Sequence, residues 1–187
     1  MKQMLLLLAV VFMSFSCSIK NKKSSEEDLI KAYYQALNSG DFNRISCLLS
    51  DSLITMEMDF VLTKGIQGFH EQFQWDSVFN AKHKLMEIQN HKDSIFTIQS
   101  KIGKRIDFLQ DSAVICKVWF EFDKNKISKI HTLEYIYFNI EKWEPRRDSL
   151  VAWVGRVYPG LNGFIYDLSP KGAKNYLKAI KLYEKRQ

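Results

Sequence analysis

Apolar positions recur along this chain at two periods, first helical and then alternating. Behind Ser24 or Ser25 as a cap, the acidic Glu26, Glu27 and Asp28 suit the positive end of a helix dipole. Leu29, Ala32, Tyr33, Ala36 and Leu37 then fall at helical spacing until Gly40 closes the segment. Asp41 caps a second short helix over 42–50. Residues 52–61 mix apolar and acidic positions and predict a strand running into a loop. Residues 65–79 predict a helix with Ile66, Phe69 and Phe73 on one face. Alternation then takes over and predicts strands over about 82–89, 94–102, from Ile106 or Ala113 to Phe122, and 127–138, broken by polar turns at 90–93 and 123–126. Helices first and a meander second make the fold class α+β.

The strand ending at Phe122 has two unlike faces. Val114, Cys116, Val118, Phe120 and Phe122 point to the core, and Lys117, Trp119 and Glu121 point away from it. Beyond Phe138 the period returns to helical. Leu150, Val151, Trp153, Val154, Val157 and Tyr158 form one stripe that stops at Pro159-Gly160. Ser169 and Pro170 then open a last helix carrying Ala173, Tyr176, Leu177, Ile180 and Tyr183. No Gly/Ser/Pro-rich stretch separates these stripes from what precedes them, so residues 139–187 are expected to pack on the preceding domain as a helical extension.

The first residues differ from all others. Lys2 precedes the uncharged run from Met4 to Met13, which is too short for a comfortable membrane span of about 20 apolar residues and fits the h-region of a secretory signal. Its end, Ser14-Phe15-Ser16-Cys17, resembles a bacterial lipobox. That resemblance implies cleavage of residues 1–16, acylation of Cys17, and a lipidated tether over 17–25. Ser18 rather than Asp follows the cysteine, which by resemblance to lipoprotein sorting implies the periplasmic face of the outer membrane.

Charge changes this picture little. Losing Lys2 takes the formal charge from 27 − 21 = +6 to 26 − 21 = +5, and much of the surplus is Lys20, Lys22 and Lys23 beside the anchor, where basic side chains favour anionic head groups. Nucleic acid is therefore not predicted as a partner. A hydrophobic content of 46%, 13% of the chain being aromatic, suffices to fill a core. Cys47 and Cys116 both sit in apolar patterns and are expected as two buried thiols, with a disulfide between them left open by the compartment.

The stretch from Tyr33 to Asn43, YYQALNSGDFN, resembles the first-helix signature of NTF2-like (SnoaL-like) proteins. Leu48 to Asp51, Gly65 to Phe73, and Phe120 to Ile127 resemble that family's later segments in the same order. The resemblance covers residues 26–138 and implies a cone: N-terminal helices packed on a curved antiparallel sheet around a pocket. Within the superfamily the first segment is similar to ketosteroid isomerase. Matching without gaps puts Tyr33 at its oxyanion-stabilising tyrosine and, 57 − 33 = 24 residues on, Glu57 at its general base. A carboxylate that takes a proton beside a carbonyl and a phenol that donates to the resulting oxyanion would make a lyase or isomerase. The second, protonated acid of that family falls at Val118, which donates nothing.

For the pocket itself the sequence nominates Val118, Phe120, Ile130, Glu134 and Trp75 as ligand-binding. Glu134 is included because Ile130, Thr132 and Glu134 alternate onto the inward face. His70, Glu71, Trp75 and Asp76 lie close together but lack ligand spacing with His83, His91 or His131, so no metal is predicted. Phosphate loops and dinucleotide fingerprints are absent, so no cofactor is predicted either. The expectation is a membrane-anchored, non-catalytic module with a mostly apolar cavity for a small apolar ligand or a protein partner, and a homodimer through the sheet face. The enzyme with Glu57 as base and Tyr33 as donor is its rival.

Overall fold

The computed structural model describes residues 25–92 and 94–186. The predicted signal segment, Cys17 and nearly all of the tether lie outside them. Helix α1 (Glu26–Ser39) opens on a capping box in which the Ser25 hydroxyl accepts the Asp28 N–H and the Asp28 carboxylate accepts the Ser25 N–H. It closes at Gly40, whose φ of 73° turns its N–H back onto the Ala36 and Leu37 carbonyls. Asp41 then caps α2 (Phe42–Leu48) by accepting the Arg44 N–H at 3.0 Å. α2 buries Ile45 and leaves Cys47 exposed, which corrects the expectation of a buried thiol. Cys116 is buried, and both cysteines are free.

Residues 49–64 form a hairpin of β1 (Leu49–Glu57) and β2 (Phe60–Lys64) rather than one strand entering a loop. The turn contains no glycine, and Met58 takes a positive φ of 49°. Long-range bonds hold it there: the Met58 N–H donates to the Thr132 carbonyl and His131 Nε2 donates to the Met58 carbonyl, both at 2.8 Å. Helix α3 (Gly65–Val78) leads to β3 (Lys82–His91) and β4 (Ser94–Ile102).

Residues 104–110 depart from the strand expected near Ile106. They are helix α4 (Lys104–Gln110), because Ile106, Leu109 and Gln110 are buried at helical spacing and Asp111 ends the turn with φ 59°. β5 (Val114–Asp123), β6 (Lys126–Tyr137), α5 (Ile140–Val157) and α6 (Pro170–Glu184) complete the chain. α5 begins before Trp143 and accommodates Pro145 in its second turn.

The six strands form one curved sheet in the order β2-β1-β6-β5-β4-β3, antiparallel except that β1 and β6 run parallel. Bulges interrupt the β3–β4 and β5–β6 ladders and bend the sheet around α1, α2 and α3. One core fills this concavity, with Ile30, Ile45, Leu49, Val118 and Phe120 fully buried. A second core joins α5 and α6 to the far end of α3 and to α4, through Phe79, Leu150, Val154, Tyr176 and Ile180, with Trp75 and Phe108 against them. No helix among the described residues is long and apolar enough to cross a membrane.

Candidate functional site

Between α1, α3 and the inner face of the sheet lies a cavity of about 530 Å³, a size that suits a small organic molecule. α1 contributes Tyr33, whose ring packs edge-on to Tyr34 and Phe120. β1 contributes Thr55 and Glu57, α3 contributes Phe69, Phe73 and Asp76, and the start of α5 closes one side with Trp143. The apolar part of the wall is the larger, but polar groups that the sequence did not nominate for it share it. His83, Gln99, Lys101, Arg105 and Tyr135 also line it.

β4 explains part of that polarity. Ile95 and Thr97 are its buried positions, so Gln99 and Lys101 follow at the same parity and point into the cone. That alternation was present in the sequence and is the signal that would have found them. Lys101 meets Asp76 of α3 at 2.7 Å. Burial pushes the Asp76 carboxyl up, but the Lys101 ammonium and the nearby Arg105 outweigh it and hold the group below the usual carboxylate range. Gln99 accepts from His83 Nδ1 at 3.2 Å and turns its amide toward the Cys116 sulfur at 3.5 Å. Burial, assisted by Lys101, lowers His83 to about 4, so its ring is neutral at pH 7.

Tyr33 and Glu57, the candidate catalytic pair, both line this cavity, as does Ile130. The Tyr33 hydroxyl has no hydrogen-bond partner among the described residues, and burial raises its ionisation well above the usual phenol range, so it is a neutral donor. Val118 and Phe120 do not line the cavity. They are fully buried beneath the tyrosine rings of α1 and form the layer behind it. Trp75 belongs to the second core, where the Arg105 guanidinium lies 4.9 Å from its ring.

Glu134 is exposed, and the reason is one residue of register. Val118 pairs with Thr132, but Lys117 pairs with Glu134, so Leu133 is extra and the bulge flips the faces beyond it. Tyr135 therefore takes the inward place that strict alternation gives to Glu134. Burial, reinforced by interaction with the Glu57 carboxylate, raises the Tyr135 phenol well above its ordinary range. Glu57 forms no ion pair within 4 Å among the described residues.

This arrangement of three helices on a curved sheet has counterparts among solved structures. An NTF2-like protein of unknown function from Cytophaga hutchinsonii shares 11% identity at a TM-score of 0.51, over 62% of this chain and 93% of that one. Bal32a, from a soil-derived mobile gene cassette, shares 17% identity at a TM-score of 0.52, over 64% and 93%. The chain has the NTF2-like fold. A protein with a ketosteroid isomerase-like fold from Catenulispora acidiphila, in complex with trimethylamine, shares 9% identity at a TM-score of 0.50, over 65% and 93%. No protein-family model and no curated protein sequence matches the chain. The share in common equals, in length, roughly α1 through β6 of this NTF2-like chain, whereas Trp143 belongs to the extension that follows.

Proposed function

We propose that this chain is an exported lipoprotein, held to the periplasmic face of the outer membrane through Cys17, whose NTF2-like cone binds a small molecule without transforming it. The cavity carries this reading, because it gathers an aromatic wall and polar groups that no backbone requires in one recess. A protein of the same fold in complex with a small amine supports it. The exposed sheet face, where Phe96, Trp119 and His131 stack in a row, is the surface on which a homodimer would form. Thermal-shift screening of the mature chain against a library of small polar and amphipathic metabolites is expected to find stabilising members. A melting temperature unmoved by the whole library would overturn the binding reading.

A second reading, a lyase or isomerase, is favoured by one observation: the unpartnered Tyr33 hydroxyl and the Glu57 carboxylate share the cavity. Glu57→Gln separates the two. A binding module has no turnover to lose, whereas the substitution should cost an enzyme about two to four decades of turnover. The address has its own test. Mass spectrometry of the membrane fraction should show a diacylated amino-terminal cysteine at position 17, and an unmodified soluble chain would refute the anchor.

A further inference from the structure

Two charges in the cavity have no ion-pair partner within 4 Å among the described residues. The first is Arg105, presented by α4. Its guanidinium lies 4.9 Å from the centre of the Trp75 ring and 5.2 Å from that of Trp143, with Phe79 at 5.9 Å, so aromatic rings flank it. Among the described residues no carboxylate oxygen comes within 4 Å of it; it contacts the Tyr176 hydroxyl and acts on Asp76 only at longer range, Asp76 being paired with Lys101. A guanidinium has five N–H donors in one plane, and aromatic rings, which accept no ordinary hydrogen bond, leave donors free for an acceptor. The second is Glu57, whose described polar contact is the Tyr135 phenol.

These two groups do not neutralise each other. Tyr135 interacts with both, and no Glu57–Arg105 ion pair forms within 4 Å. Nor is the remaining pair available, because Asp76 and Lys101 are engaged with each other at 2.7 Å. A partly desolvated acid and a partly desolvated base held apart in one cavity are complementary to a molecule bearing both opposite charges. A ligand of single charge would satisfy one and leave the other unmatched, which is the costly arrangement.

Building on the small-molecule reading above, we propose that the cavity binds a zwitterion, its carboxylate seated edge-on against the Arg105 guanidinium and its ammonium on the Glu57 carboxylate. The aromatic rings of Tyr33, Phe69 and Trp143 then enclose the carbon skeleton between the two ends. The assignment is to an amino acid or an ω-amino acid with an apolar body, as opposed to a plain fatty acid or a plain amine.

The experiment is calorimetric titration of the mature chain. The probes are phenylalanine and 6-aminohexanoate, zwitterions of short and long charge separation, with phenethylamine, 3-phenylpropionate, hexylamine and hexanoate as single-charge controls and 2-phenylethanol as a neutral one. At least one zwitterion should bind about tenfold or more tightly than both of its own controls, since a hydrogen bond to a charged group is worth about a decade or more of affinity. Arg105→Gln should bring that zwitterion down to the level of the amine, and Glu57→Gln to the level of the acid. Arg105→Lys keeps the charge but not the planar edge, and guards against a folding defect in the glutamine variant; it should recover only part of the affinity. Zwitterions no tighter than their controls, with 2-phenylethanol or a singly charged probe still binding, would overturn the zwitterion and leave the binding cavity standing. Failure of all seven probes, the neutral one included, would count against both.

Discussion

His83 shows how a single side chain ties the cavity to stability. Its ring stays neutral down to about pH 4 in the folded chain, whereas an unfolded histidine takes a proton near pH 6.5. Between those values the unfolded state binds more protons, so stability falls as pH drops from about 6.5 to about 4, by up to about 3 kcal/mol. Asp76 acts in a lower window. Its depressed ionisation stabilises the fold above the ordinary carboxylate range, and that contribution is lost as pH falls through its folded value. Chemical unfolding at pH 7 and pH 4.5 is therefore expected to give a smaller difference for His83→Gln than for the parent chain; equal differences would refute the assignment. None of this is visible in the sequence, where His83 is one polar position at a strand start. Its neutrality comes from burial, with α1 closing over it, and from Lys101 on the neighbouring strand, against the opposing pull of the Gln99 hydrogen bond.

Asn38 shows the same dependence at the scale of an element. The segment from Ala36 to Asp41 is legible as a helix end followed by a helix start, since Gly40 and Asp41 announce themselves locally. Asn38 has another task. Its side-chain amide donates to the His83 carbonyl at 2.6 Å and accepts the His83 N–H at 2.7 Å, pairing with the free edge of β3 as a neighbouring strand would. Asn38→Ala should cost about 1–3 kcal/mol in urea unfolding, and Asn38→Asp, which keeps the acceptor but sets a second acceptor against the His83 carbonyl, should cost at least as much. A neutral Asn38→Ala would show that water replaces the clamp.

Elements whose signals are local were readable: α1, α3, the meander and α6 all stand close to where periodicity puts them. The Met58 turn and the Leu133 bulge were not, because one is fixed by His131 and Thr132 far along the chain and the other by an extra residue that no hydrophobic period records. The bulge alone exchanges Glu134 for Tyr135 at the cavity. Sequence parity thus located the right face of the strand and then lost count by one.

Taken whole, the molecule has two cores that share α3, with Phe69 and Phe73 in the first and Trp75, Val78 and Phe79 in the second. Ending the chain after Phe138 would strip α5 and α6 from those last three residues and from Phe108. An apolar patch of that kind is expected to make the shortened protein aggregate. Light scattering of the purified truncation checks this, and a monodisperse, cooperatively melting domain would show the extension to be dispensable. The extension does more than cover α3, because Trp143 both walls the cavity and flanks Arg105. A residue of the cavity wall therefore sits beyond a stretch as long as the one the solved structures of this fold share. Under selection the cone and the appendage then need not change together. A lineage could reshape this side of the cavity by changing the first turn of α5 alone, so long as Leu150, Val154, Tyr176 and Ile180 keep their hold on α3.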